Sequence, residues 1–218
     1  MPTKQSEIEK HVQLLVEGRD TKGFFEALRR HLHLEDLQLH DFGGVSELRT
    51  FLPAFVKLPK FSSVTSIGTV RDADNSATRA FESVQGCLKR SGLAVPSEPG
   101  MGAGDHPRVK VLVLPGKGRP GMLETLLCDT IRDEEVHTCI DTFFECVKEL
   151  QGEPAPNLHK ARARAFLATK PYPHFSVGVA AKKGYWNLDH SVLDPVRAFL
   201  REIAAPHRST SNGPNLHA

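Results

Sequence analysis

What this chain lacks narrows it before any motif does. Its four cysteines, at positions 87, 128, 139 and 146, include no C-x-x-C pair. That removes a structural zinc knuckle and leaves buried or free thiols of a reducing compartment. No Gly-x4-Gly-Lys-Ser/Thr run occurs, and the Lys117-Gly-Arg119 turn is a weak substitute, so ATP binding through a P-loop has no support. No apolar stretch reaches the roughly 18 residues of a membrane span. The N-terminal Met-Pro-Thr-Lys-Gln-Ser-Glu lacks the apolar core of a signal peptide, which makes the cytoplasm the expected location. Among His33, His40, His137, His159, His174 and His190, none stands at H-x-x-x-H or H-x-H spacing from another. Each reads as a surface or satisfied core residue rather than a ligand. There is no internal repeat.

The 218 residues suffice for one large domain, or a domain with an appendage. Hydrophobic residues make up 39% and charged residues 25%, enough for a real core. The net charge of +2 says nothing about nucleic acid unless the charge is unevenly spread. Nor does it fix the oligomeric state, and a homo-oligomer stays open.

Alternating patterns organise the first half. Residues 12–16 form an apolar run, and residues 21–34 carry Phe24, Phe25, Leu28 and Leu32 at helical spacing. Residues 37–42 alternate with period two, Gly43-Gly44 turns the chain, and a helix is predicted from Ser46 to about residue 57. A β-branched strand follows at 64–70, then a helix at 77–90 capped by Asn75 or Ser76. Residues 96–107, rich in Gly and Pro, read as a surface loop. Residues 109–114 form a fourth strand. This alternation predicts an α/β fold with a mostly parallel four-stranded sheet flanked by helices. Beyond it, residues 122–150 read as acidic helix broken near 132–134, residues 158–168 as a short basic helix, 171–187 as irregular, and 192–204 as a last amphipathic helix. The predicted division is a core at 1–116, a helical extension packed on it at 117–205, and a disordered polar tail at 206–218.

Two strand ends carry the chemistry. The segment Val64-Thr-Ser-Ile-Gly-Thr-Val-Arg-Asp-Ala-Asp74 ends in two aspartates, and Val12-Gln-Leu-Leu-Val-Glu-Gly18 ends in a glutamate and a glycine. Ligands of an open α/β sheet bind beyond the carboxyl ends of its strands, and right-handed crossovers keep those ends together. Glu17, Asp72 and Asp74 therefore converge, and in an extended segment Asp72 and Asp74 point the same way. Gathered carboxylates repel one another unless a cation lies between them, and oxygen-only ligands suit Mg²⁺ or Mn²⁺. The plain alternative is a set of ordinary strand-end and helix-cap residues. A dehalogenase-like phosphatase also uses Asp-x-Asp, but in the first strand and without a Glu-Gly partner.

Val16-Glu17-Gly18 with Asp20, a helix, then Arg71-Asp72-Ala-Asp74 resembles the TOPRIM domain of topoisomerases, bacterial primases, recombination-mediator proteins and the overcoming-lysogenization-defect type nucleases. The resemblance covers about residues 10–115. The whole chain also resembles a small stand-alone TOPRIM-like family of undefined function, to whose extended pattern Gly121-Met-Leu-Glu124 and Gly184-Tyr-Trp-Asn-Leu-Asp189 belong. The resemblance implies a Rossmann-like core in which Glu17 is a general acid/base or metal ligand. Asp72 and Asp74 would bind Mg²⁺, and Asp20 would help complete a second metal site. Two such ions, about 4 Å apart, activate water and stabilise the leaving oxygen in phosphodiester cleavage. Glu124 is either one more ligand or a favourable charge in a first helical turn.

With only Tyr172 and Tyr185 present, both in an irregular segment, a topoisomerase would need its tyrosine from elsewhere. The zinc clusters of primases and mediators are missing. A metal-dependent nuclease is the remaining expectation, with phage defence and an ABC-like ATPase partner implied by relatives. The rival is a non-catalytic regulatory or binding subunit that presents the acidic 124–149 stretch. No acidic residue occurs between Glu153 and Asp189, where Lys160, Arg162, Arg164, Lys170, Lys182 and Lys183 alternate with Phe166, Tyr172, Phe175, Tyr185 and Trp186. Such interleaving suits phosphate tracking and base stacking. It suits a solvated helix face over core aromatics equally well.

Overall fold

Every residue of the run Val12-Gln-Leu-Leu-Val16 is buried, Gln13 included, as a central parallel strand covered on both faces requires. It forms β1 in the computed structural model, which describes residues 7–205 except Val45. The predicted tail at 206–218 lies outside the described residues.

Helix α1 (Arg19–His31) follows β1, and β2 (Leu37–Asp41) and α2 (Leu48–Phe55) come next. Then come β3 (Ser66–Asp72), α3 (Ala77–Arg90), β4 (Gly102–Ala103) and β5 (Arg108–Leu114). The chain continues through α4 (Leu123–Asp129), α5 (Glu135–Gln151), α6 (Leu158–Ala168), α7 (Val177–Lys182) and α8 (Asp194–Ala204). The strand order is β2-β1-β3-β5-β4, with all pairings parallel except the short β4 against β5. Among the described residues the sheet thus has five strands rather than the predicted four. Strand β4 escapes a sequence reading because two residues inside a Gly/Pro-rich loop carry no period. Strand β3 starts and ends two residues later than the 64–70 pattern, which puts Asp72 inside the strand. Helix α7 lies within the stretch read as irregular, because six residues show no helical repeat.

Side chains alternate between the two faces of the sheet. Leu14, Val16, Val70 and Leu112 pack with α1, α4, α6, α7 and α8, while Leu15, Ile67, Val111 and Val113 pack with α2 and α3. The C-terminal helices share one apolar cluster with β1 and α1. Among the described residues, no helix is long and apolar enough to cross a membrane.

Helices α1 and α7 touch backbone to backbone. A Cβ on Gly23 would stand 2.8 Å from the Gly178 Cα, and one on Gly178 would stand 2.6 Å from the Asp20 carbonyl oxygen. A methyl at either place must push the helices apart, at a cost of about 1–3 kcal/mol. Gly86 in α3 is the contrast, because its nearest neighbour would be the flexible Arg90 terminus at 3.4 Å. Thermal unfolding should therefore show Gly178→Ala lowering Tm by roughly 2–10 °C. Gly86→Ala should raise it slightly, since Ala outranks Gly inside a helix by about 0.5–1 kcal/mol.

Candidate active site at the carboxyl edge of the sheet

The strand order reverses direction between β1 and β3, since β2 lies on one side of β1 and β3 on the other. That is where an open parallel sheet leaves a crevice at its carboxyl edge. Glu17 leaves β1 there and Asp72 is the last residue of β3. Gly18 makes the exit sharp: its φ of 83° and ψ of 160° lie where glycine alone is at ease. The Asp41 carboxylate holds this turn, accepting from the Gly18 N–H at 2.9 Å and the Gly43 N–H at 2.8 Å.

Register decides which carboxylates meet. Val16 pairs with Val70, so Glu17 stands beside Arg71 on the α3 side of the sheet. The Arg71 Nε lies 3.6 Å from Glu17 Oε2, with side-chain exposures of only 9% and 14%. At that distance the charges attract without a hydrogen bond, and both atoms are buried with no hydrogen-bond partner among the described residues. Arg71 also donates to the Ala80 carbonyl at 3.5 Å. Asp72 falls on the other side of the pleat, where the Leu123 N–H at the start of α4 donates to its Oδ1 at 3.0 Å. Glu124 follows in that first turn.

An open cleft of about 600 Å³ joins the two sides, lined by Glu17, Asp20, Asp72, Glu124, Lys160 and Ser176 among others. Burial, then the charges of Glu17, Glu124 and Asp74, push the Asp72 carboxyl up to about 7 despite its bond from Leu123. Burial also raises Glu17, partly offset by Arg71. For Asp72 the move from 3.8 to about 7 corresponds to roughly 4 kcal/mol between its two protonation states. A neutral or cation-compensated pair is thus strongly preferred over bare carboxylates.

Among the described residues, no three His, Cys, Asp or Glu side chains are placed together so as to hold a metal ion. The reason is visible in the pleat, since Glu17 and Asp72 approach the cleft from opposite faces. The donor set nonetheless fits Mg²⁺ or Mn²⁺: all oxygen, mutually repulsive, and with the Glu17 Oε2 unbonded. Asp74 does not sit as an extended Asp-x-Asp would place it. Its φ is 49°, Ala73 turns into the core, and its backbone bridges Gly121 at 2.8 and 2.7 Å. Its exposed carboxylate lines a neighbouring cleft with His159. Ser76, not an aspartate, caps α3. Asp20 commits one oxygen to the Gly178 N–H at 3.1 Å while still lining the main cleft.

The basic residues are divided. Lys160 reaches the cleft from the first turn of α6. Arg162 pairs with Asp141 at 2.8 Å, and Arg164 donates to the Phe175 carbonyl at 3.2 Å. Lys182 pairs with Glu26 near the amino end of β2, away from the cleft, and exposed Lys183 follows it. Phe166 and Trp186 are core residues, the indole donating to the Val177 carbonyl at 3.3 Å. Sequence reasoning gave no role to Arg71 or Asp41. Their signal was positional, one beside a strand-end carboxylate and the other at a third strand end.

The model of a family described as a protein of unknown function (DUF3226) matches residues 11–205. No curated protein and no solved structure matches the chain.

The raised Asp72 carboxyl has a checkable consequence. Between pH 4 and 7 the folded state binds more protons here than the unfolded state, so stability falls as pH rises through that window. In EDTA the Tm should drop by several °C from pH 5 to pH 8. Asp72→Asn keeps an acceptor for Leu123 but not the charge, so its drop should be clearly smaller. A decline equal to wild type would contradict the assignment.

Proposed function

For a chain that belongs to the DUF3226 family, we propose metal-dependent hydrolysis of nucleic-acid phosphodiester bonds by a TOPRIM-like core. The observation that carries this reading is the gathering of Glu17, Asp72 and Glu124 around one cleft at the β1/β3 switch point, where burial first and these neighbouring charges second lift Asp72 to about 7. Asp72, Glu124 and Glu17 would hold Mg²⁺ or Mn²⁺, with Asp20 and Asp74 as outer carboxylates. When bound, such an ion supplies positive charge to the transferring phosphoryl group and lowers the proton affinity of water.

The chain's own groups have defined parts. Glu17, whose carboxyl burial raises above its ordinary value, is suited to take a proton from attacking water. Arg71 anchors that carboxylate, because its own guanidinium is tied to α3. Lys160 adds a cation to the cleft lining, where it would meet a phosphate. Asp20 locks α1 to α7 and so keeps the wall of the cleft in place. The setting implied by the same resemblance is a cytoplasmic phage-defence effector with an ABC-like ATPase partner.

A second reading, a partner-binding subunit, draws on α5. Cys139, Phe143, Cys146 and Leu150 form an exposed stripe at 4-3-4 spacing, with Phe143 57% and Leu150 81% exposed. Such spacing is the seam of a helix pair. The two readings are compatible, since α5 lies outside the cleft lining.

Cleavage of mixed DNA and RNA substrates, followed on gels with Mn²⁺ or Mg²⁺, tests the first reading. EDTA should abolish activity, and Glu17→Gln should lower it by about 10²–10⁴-fold. Asp72→Ala should cost more than Asp74→Ala, given the exposed position of Asp74. Activity that survives Asp72→Ala combined with Asp74→Ala would sink the mechanism.

A further inference from the structure

We propose that the substrate is taken as a single strand, with unpaired bases stacking on the open end of an aromatic pile beside the cleft. This deepens the nuclease reading and rests on it for the identity of the ligand. The pile consists of Tyr172, Phe175 and Tyr185. Tyr172 and Phe175 are stacked at 5.2 Å with an interplanar angle of 22°, and Phe175 and Tyr185 at 6.1 Å with 27°. His174 meets Tyr172 and Phe175 edge-on. Elsewhere Phe24–Phe25 at 85° and Phe55–Phe61 at 86° meet edge-to-face, and Phe51–Phe55 stack at 16° as a pair. Three near-parallel, offset rings in a row with one end open are an arrangement that a row of bases continues.

One end of the pile is free, because Tyr172 is 56% exposed. Its position is braced: Pro171 and Pro173 flank it, and Arg164 holds the Phe175 carbonyl at 3.2 Å. Lys170 is engaged nearby over the Phe166 ring at 4.1 Å.

The pile is also joined to the cleft. Phe175 precedes Ser176, which lines the cleft with Glu17, Asp72 and Lys160. Lys160 and Arg164 stand one turn apart on α6, so a backbone leaving the carboxylates passes Lys160 and then Arg164. Residues 154–188 themselves contribute no acidic side chain to this path. A duplex keeps its base faces internal and cannot extend such a pile, whereas any unpaired base can.

Binding read by fluorescence anisotropy in EDTA, with an end-labelled 20-nucleotide oligothymidine and the same strand in duplex, separates the possibilities. The single strand should bind at least about tenfold more tightly than the duplex. Tyr172→Ala should weaken it by about tenfold or more, as loss of one stacked base does. Tyr172→Phe should bind like wild type, and circular dichroism should show Tyr172→Ala folded, since the side chain is exposed. Equal affinity for duplex, unchanged binding by Tyr172→Ala, or no binding of either strand would overturn the proposal. Cleavage that prefers duplex and survives Tyr172→Ala would overturn it while leaving the nuclease reading intact. Tight single-strand binding without any metal-dependent cleavage would do the reverse.

Discussion

The burial of carboxylates at one edge of a parallel sheet, sharpened by their mutual repulsion, is the constraint on which the rest of this molecule turns. Glu17 and Asp72 lie on neighbouring strands, and Glu124 is added at the start of α4. The fold offers two partial remedies, the buried Arg71 beside Glu17 and the Leu123 N–H on Asp72. Neither suffices, because Asp72 is still pushed to about 7. A structure that selects only for stability would replace such a group with a neutral one. A divalent cation bound there, as proposed above, would supply the compensation that the fold itself does not.

The C-terminal helices are best understood as the wall of that site. Helix α4 brings Glu124 and its first-turn N–H groups, α6 brings Lys160, and α7 brings Ser176. The Gly23–Gly178 contact and the Asp20–Gly178 bond bring α7 against α1 at backbone distance. The helical extension therefore shares both the core and the cleft of the sheet.

Much of this was legible in the sequence where periodicity is strong. Strands at 12–16 and 37–41 and the helix at 77–90 follow from apolar spacing, and the placing of Glu17 and Asp72 at one sheet edge follows from strand order, although the pleat turns them to opposite faces. The misses have physical causes. Asp74 adopts a left-handed backbone, which an Asp tolerates and no spacing reveals. The two-residue β4 and six-residue α7 are too short for a period. The run from Lys160 to Lys183 looked like one basic surface, but ion pairs with Asp141 and Glu26 draw Arg162 and Lys182 to other elements. The interleaved aromatics split likewise: Phe166 and Trp186 serve the core, Phe175 and Tyr185 pack against it, and Tyr172 extends their pile to the surface.

The central claim is that this carboxylate cluster exists to hold a divalent cation. Isothermal titration of Mn²⁺ into the metal-free protein near pH 7, in two buffers of different ionisation enthalpy, tests it most directly. The expected result is saturable binding with proton release, because Asp72 must give up its proton to act as a ligand. That release should vanish in Asp72→Asn. Absence of binding in the wild-type protein, or binding and proton release unchanged in Asp72→Asn, would contradict the account.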